Sequence, residues 1–466
     1  MLYSALPANK NPRRNEIEKE ETGMLPTARD IGADTVSAEK SAYAKVNLRI
    51  LIPLGLCFML AFLDRINVGF AYLHMKTDVG LDEAAFGIGV GLFFISYTLF
   101  EVPSNLLLTR VGAKKTISRI MVLWGLASSA TMFVQTPMQF YVTRLALGVA
   151  EAGFFPGAML ILTYWYPAQK RARVIALFSL AVPLAGMIGS PLSGWIMQTF
   201  NGVGGLKDWQ WIFLIEGMLP VVVGVLMYFL LTDKPESAEW LSQEEREVVV
   251  SAIQEEHSAK GHDDKTKHFS AAIRSPRLYI VALAYFPVAW AGNVLNYWAP
   301  ALIRHLAGGN VLNIGLLLAI PSTIGAVGML LVCHHSDKKL ERRWHWAVSA
   351  ILTACASIAL TMSGHSLVAM MIALCVLNIG YLCIAALFFT IPTAFLSGTA
   401  AAGGLALVSA CGQVGGFLAP VAIGHIKAAT GSFSPAFVLV AALLVMAACV
   451  VIGLIPASIL VRKSNA

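Results

Sequence analysis

The apolar positions of this chain neither alternate nor form one-sided helical stripes; they run in long blocks separated by short polar stretches. Blocks of about 18 residues or more with few charges are long enough to cross a bilayer as helices. Twelve such blocks predict spans at 48–71, 84–108, 117–135, 138–160, 173–198, 211–231, 278–300, 312–333, 346–363, 366–390, 400–423 and 434–460. A single long hydrophilic stretch, 232–277, separates the sixth span from the seventh. It opens on the turn-forming Asp233-Lys234-Pro235. Ser242 with Glu245 then reads as a capping box, starting a charged amphipathic helix that runs to about His257 on the membrane surface. Residues 1–47 are polar and mixed in charge and read as a disordered tail, while 461–466 form a short polar end. The expectation is an all-α integral membrane protein of twelve transmembrane helices: one six-helix bundle at 48–231, a linker at 232–277 and a second bundle at 278–460.

The two halves echo each other. Basic loops join spans two and three (NLLLTRVGAKKT, 105–116) and spans eight and nine (HHSDKKLERR, 334–343), at matching positions of an internal repeat. Span five carries Gly186, Gly189, Pro191 and Gly194; span eleven carries Gly412, Gly415, Gly416, Pro420 and Gly424. Small residues at such spacing let helices approach closely. Gly87, Gly89 and Gly91 lie inside a span with no strand before them, so they pack helices and do not cradle a nucleotide.

Composition agrees with the pattern. The 466 residues are 57% hydrophobic and 13% charged, with a mean hydropathy of +0.68, whereas soluble domains carry about 25% charged residues. A net charge of +7 would point to nucleic acid in a soluble protein. Here 28 of the 34 Lys and Arg fall on one side of the predicted topology, the side of the tail, the linker and the C-terminus. That asymmetry predicts cytoplasmic termini and a multi-pass protein of the cell inner (plasma) membrane, with no nucleic acid partner. The seven cysteines lie in or beside apolar blocks without metal or disulfide spacing, the N-terminus lacks a signal-peptide pattern, and no cofactor motif is present.

Charges inside the apolar blocks carry the chemistry. In FYVTRLALGVAEAGFFPG (140–157), Arg144 and Glu151 are seven residues apart, so they share a helical face about 10 Å apart in height. A charge at mid-bilayer costs a few kcal/mol or more and normally faces an internal cavity. The pair reads as an anion site beside a titratable group; a structural ion pair clamping two helices is the alternative. Asp64 and Arg65 in span one diverge by about 100°, as a second proton site with its neighbour or as a local pair near a helix end. The C-terminal half offers polar and aromatic groups instead: Asn293, Asn296, Tyr297 and Trp298 in span seven, Asn378 and Tyr381 in span ten, Gln413 in span eleven. Asn293, Tyr297, Asn378 and Gln413 serve either as contacts to the hydroxyls or second carboxylate of a bound acid or as glue between helices. Trp298 fits packing, Glu101 and Arg110 fit gating or helix-end packing, Glu216 looks structural, and His334-His335 belongs to a basic loop.

Taken together, LDRINVGFA (63–71), LFEVPSNLLLTRVGAKK (99–115), FYVTRLALGVAEAGFFPG, TYWYPAQKRARVIALF (163–178), WQWIFLIEGMLP (209–220), LTDKPESAEWLSQEE (231–245), NYWAP (296–300) and PTAFLSGTAAAGG (392–404) resemble the major facilitator superfamily. Within it they are most similar to the anion:cation symporter branch, the bacterial tartrate, phthalate, galactonate and glucarate permeases, with the tartrate and phthalate types nearest. The resemblance runs from about Leu48 to Leu460 and implies two six-helix bundles rocking about a central cavity. It also implies proton handling by Asp64 and Glu151 and anion binding by Arg144, with its neighbour Arg65 shaping the same region as a further substrate-binding candidate. Two places of the loop after span two depart from the superfamily pattern, Asn105 and Thr109. Ser409 and Gln413 stand where relatives often carry asparagines in span eleven, which leaves the substrate open and not the class.

The physical logic points the same way. An anion in a low-dielectric cavity needs a fixed cation, and guanidinium grips a carboxylate with two hydrogen bonds. If Glu151 is ionised beside Arg144 it competes with the substrate, and protonating it frees the arginine. The expectation is a monomeric secondary transporter taking up a small organic anion with at least one proton. An organic-anion exchanger or sodium-coupled carrier is the alternative, followed by a drug exporter or a membrane sensor. No nucleophile-elbow, metal-ligand or phosphate-loop pattern supports an enzyme.

Overall fold

A computed structural model describes residues 28–260, 276–339, 341–364, 366–388, 391 and 398–454. Among these the chain is helical throughout, and eleven helices are long and apolar enough to cross a membrane. A twelfth, Ala113–Ala130, carries Lys114, Lys115 and Arg119 in its first two turns and fills the place of the third span. The other spans of the first half are Ile52–Asp78, Glu83–Val111, the pair Pro137–Glu151 and Phe154–Trp165, the pair Ala168–Ser179 and Ala181–Phe200, and Asp208–Leu230. Those of the second half are Pro276–Asn293 continued by Ala299–Ile303, then Val311–Lys339, Arg343–Met362, Leu367–Phe388, Gly398–Thr430 and Ser434–Leu454. Residues 261–275 of the linker and the last residues of span twelve, 455–460, lie outside the described residues.

Local chemistry sets the helix starts. Asp82 caps the second span by accepting from Ala85 N at 2.7 Å, and Thr136 caps the fourth, with Pro137 at its first position. The third span starts after Gly112 (φ +95°), where the Asp233 carboxylate accepts from Lys114 N at 2.8 Å. The turn that opens the linker thus also caps a helix of the bundle.

Four expectations are corrected. The first span continues to Asp78, two turns beyond 71. The fourth is not one helix: it breaks straight after Glu151, where Gly153 adopts φ +87° and its Cα packs so closely on Ser104 that a Cβ would sit 2.5 Å from the Oγ. The seventh opens into a π-type turn at Val294–Trp298, which places Asn296 and Tyr297 in a widened helix. The tail is not wholly irregular either, because Ala28–Val46 is helical and docks on the linker helix Gln243–Lys260. There Lys45 Nζ lies 2.7 Å from Glu245 Oε2 and Ser41 donates to Oε1 at 2.6 Å. Glu245 also completes the capping box, accepting from Ser242 N at 2.9 Å while Ser242 Oγ accepts from Glu245 N. Burial pushes the Glu245 carboxyl up, but these hydrogen bonds outweigh it and hold it down at about 2. At its far end the linker helix meets the fifth span, Glu256 accepting from Ala168 N at 2.8 Å and pairing with Arg171.

Trp124, Trp165, Trp209, Trp298 and Trp346 are fully buried between helices. Phe229, Leu331, Val348 and Val368 lie on the outside, as a lipid-facing belt requires. The two halves meet where span two crosses span eleven, span five crosses span eight, and span one crosses span seven. Small residues make these approaches possible on the half opposite the linker. A Cβ on Gly69 would lie 2.7 Å from Tyr297 O, and one on Gly194 2.7 Å from Val311 O. Gly87 meets the backbone of Pro420 and Gly424 that of Glu83 in the same way. Above them Tyr72, Phe86, Trp298 and Phe433 form an aromatic cluster, and Arg304 Nη1 donates to Leu73 O at 2.8 Å across the two halves. That face is closed.

Candidate functional site

The first half gathers its intramembrane charges at mid-depth. Arg144 and Glu151 come from Pro137–Glu151, and both are 1% exposed. Their shared face is real, but they do not pair. Glu151 Oε1 instead accepts from Arg65 Nη2 at 2.6 Å, across to the first span. The expected competition between Glu151 and the substrate for Arg144 is therefore corrected: the arginine that Glu151 occupies is Arg65.

Arg144 is left with a buried guanidinium whose Nε and Nη2 have no hydrogen-bond partner among the described residues. Aromatic faces surround it: Phe93 with centroid 5.6 Å away and Phe140 at 6.0 Å. The Phe93 ring also lies 5.3 Å from the Arg65 guanidinium, so one ring borders both cations. Ring quadrupoles soften the burial of a cation but give it no directional acceptor. A buried cation with open donors has the chemistry to accept an anion, since unmade hydrogen bonds to a charged group in a low-dielectric interior are costly.

Asp64 points away from Arg65, as their spacing requires, and lies 1% exposed. It accepts from Ser128 of the third span and from Asn67 Nδ2 at 3.3 Å, with its Oδ2 left open. Arg144 and Arg65 are both within electrostatic reach of it. Four of the expected residues, Asp64, Arg65, Arg144 and Glu151, thus form one group.

The second half is more dispersed. Tyr297 is 1% exposed, its hydroxyl has no partner among the described residues, and the same four charges act on it. Asn293 uses Nδ2 on Ala289 O at 2.7 Å, keeping only Oδ1 open. Asn378 lines a separate crevice of about 40 Å³, together with Asn296 and Tyr381 from the second half and Ile66 and Ser190 from the first. Gln413 is half-buried beside Gly412, which packs on Tyr285, and no described hydrogen bond joins it to the charged group. Trp298 packs in the aromatic cluster, as expected.

Residues that sequence reasoning passed over complete the site. Phe93 is indistinguishable from other apolar positions of its block, and Asn67 and Ser128 are uncharged polar residues within predicted spans. Their only sequence signal is that polarity.

A family model described as Major Facilitator Superfamily matches residues 54–420. A protein of Agrobacterium vitis, provisionally named a tartrate transporter, is 42% identical over 432 residues, covering 93% of this chain and 95% of the relative. A quinolone resistance transporter of Acinetobacter baumannii is 38% identical over 400 residues, covering 85% and 91%. Among solved structures, the xylose transporter XylE of E. coli in a partially occluded inward-open conformation superposes with a TM-score of 0.72 at 13% identity, covering 89% of this chain and 99% of that one. That likeness speaks to the fold. The chain belongs to the Major Facilitator Superfamily and is a multi-pass membrane transporter, not an enzyme.

Proposed function

We propose that the protein is a proton-coupled symporter that takes up a small organic anion, of the tartrate, phthalate or sugar-acid kind, through an inner membrane with both termini cytoplasmic. The observation that carries this is the buried, unpartnered guanidinium of Arg144 beside the Arg65–Glu151 ion pair. Arg144 takes one carboxylate of the substrate through its open Nε and Nη2. Protonating Glu151 breaks the attraction that holds Arg65, and the second guanidinium then turns toward the same anion across Phe93. Proton and substrate therefore favour each other. Asp64, exchanging a proton on the same group, is the second coupling site. Tyr297 offers its open hydroxyl from the second half, while Asn293, Asn378 and Gln413 complete contacts to the remaining polar groups as the bundles close. The transporting unit in this reading is the monomer.

The relatives support the class of substrate, the provisionally named tartrate transporter most directly. A second reading, export of a carboxylate-bearing drug, is favoured by the similarity to a quinolone resistance transporter, and the same arginine serves it. Equilibrium binding of a panel of organic acids to the purified protein, measured across pH, tests the proposal. Hydroxy diacids or aromatic diacids bind, and affinity falls as pH rises because binding takes up a proton. Binding of these acids that is flat with pH contradicts the coupling, and binding of quinolones in their place favours the exporter.

A further inference from the structure

The closed face is held by contacts of two kinds, and only one of them has direction. The glycine crossings and the aromatic cluster are close packing without a donor or a charge. The hydrogen bond from Arg304 Nη1 to Leu73 O, at 2.8 Å, is directional and charge-assisted. Among the described residues no other hydrogen bond or ion pair joins the first bundle to the second.

Four Lys and Arg fall on this side of the predicted topology: Lys76, Lys207, Arg304 and Lys427. Three of them bond within their own half. Lys76 pairs with Glu83 at 2.5 Å, Lys207 with Asp78 at 3.0 Å, and Lys427 Nζ donates to Gly431 O at 2.6 Å. Arg304 reaches across instead, and no carboxylate of the described residues lies within ion-pair distance of it.

Donor and acceptor both stand on fixed backbone. Arg304 closes the helix Ala299–Ile303, and its own carbonyl accepts from Gly309 N at 3.3 Å. Leu73 belongs to the last two turns of Ile52–Asp78, which are tied to span six: Asp78 Oδ2 accepts from Trp209 Nε1 at 2.9 Å, and His74 pairs with Asp208. A carbonyl there lies toward the negative end of its helix, and its second lone pair is available to a cation.

We infer that Arg304 is the gating residue of this face: its guanidinium, bonded to Leu73 O, is the polar latch between the bundles, and the bond breaks each time the face opens. Arg304 is half-buried at the rim, so a released guanidinium meets water and leaves no bare charge inside the protein. Arg144, enclosed in the core, lacks that way out. The latch depends neither on which anion is carried nor on whether a proton accompanies it, so it stands or falls apart from the coupling proposal.

Hydrogen exchange of the full-length protein in nanodiscs, read peptide by peptide, compares wild type with Arg304→Met and Arg304→Lys. Both variants keep a long unbranched stem, and only Lys keeps a charged donor for Leu73 O. Exchange of amides that open with the face follows the population of the open form. Loss of a charge-assisted hydrogen bond predicts about tenfold faster exchange in Arg304→Met over 72–79, 83–91 and 421–430, the segments that meet across the face. Arg304→Lys is expected to stay near wild type. Exchange that quickens only over 299–310 is a loss of local order and overturns the inference, as does exchange equal to wild type. Exchange as fast in Arg304→Lys as in Arg304→Met is equally contrary, because it leaves the donor without a role.

Discussion

At the scale of residues, the chemistry turns on which arginine is free. Two guanidiniums border one phenylalanine ring, yet among the described residues only Arg65 has a carboxylate at hydrogen-bond distance. Arg144→Lys keeps the charge and discards the planar two-donor grip. Loss of one charge-assisted hydrogen bond of about 1.5–3 kcal/mol predicts roughly a ten- to hundredfold weaker affinity for a carboxylate substrate. Isothermal titration of the variant checks this, and an unchanged dissociation constant places the anion elsewhere. That Arg144, Glu151, Asp64 and Arg65 stand apart from their apolar blocks was legible, because charges are conspicuous there. Their partners were not. Helical spacing relates Arg144 to Glu151, but the ion pair joins residues 65 and 151, and such contacts depend on how two helices rotate against each other. Phe93 and Asn67 acquire meaning only from that packing.

At the scale of elements, the spans were readable from hydropathy, and the irregularities within them were not. A π-type turn at Val294–Trp298 leaves the apolar pattern unchanged, while the break after Glu151 shows only as a glycine among many. Helix Ala28–Val46 has no apolar block to announce it; it is held by buried Ala42, Tyr43 and Val46, with Tyr43 stacked on Tyr166, and by the ion pair with Glu245, between segments 200 residues apart. Because the Glu245 carboxyl is held at about 2, below its ordinary value near 4.5, its contribution is complete above the ordinary value and is lost as pH falls through about 2. Glu245→Gln removes the charge and is expected to loosen the helix at neutral pH, seen as faster hydrogen exchange over Ala28–Val46. Exchange that matches the wild type contradicts the docking role. On the closed face, Gly87→Val is expected to push span two off the Pro420 backbone of span eleven. The variant spends more time open on that face, read as faster labelling of a cysteine placed at Tyr72; slower or equal labelling contradicts the account.

At the scale of the whole molecule, the duplicated layout followed from one hydrophilic interruption between two sets of six apolar blocks. The basic loops at equivalent positions supported it. Which face is closed did not follow, because the glycine contacts that close it pair residues from opposite halves. With the face opposite the linker closed, alternating access requires these crossings to open in turn. Coupling then means that the proton on Glu151 and the anion on Arg144 must be carried together, which only transport against a gradient can reveal. The most direct measurement is uptake of a labelled organic acid into proteoliposomes under an imposed inward proton gradient, wild type beside Glu151→Gln. The account predicts accumulation above equilibrium that collapses with the gradient, and a variant that exchanges substrate across the membrane but cannot accumulate it. Wild-type accumulation indifferent to the proton gradient, or a variant that concentrates substrate as well as the wild type, would contradict it.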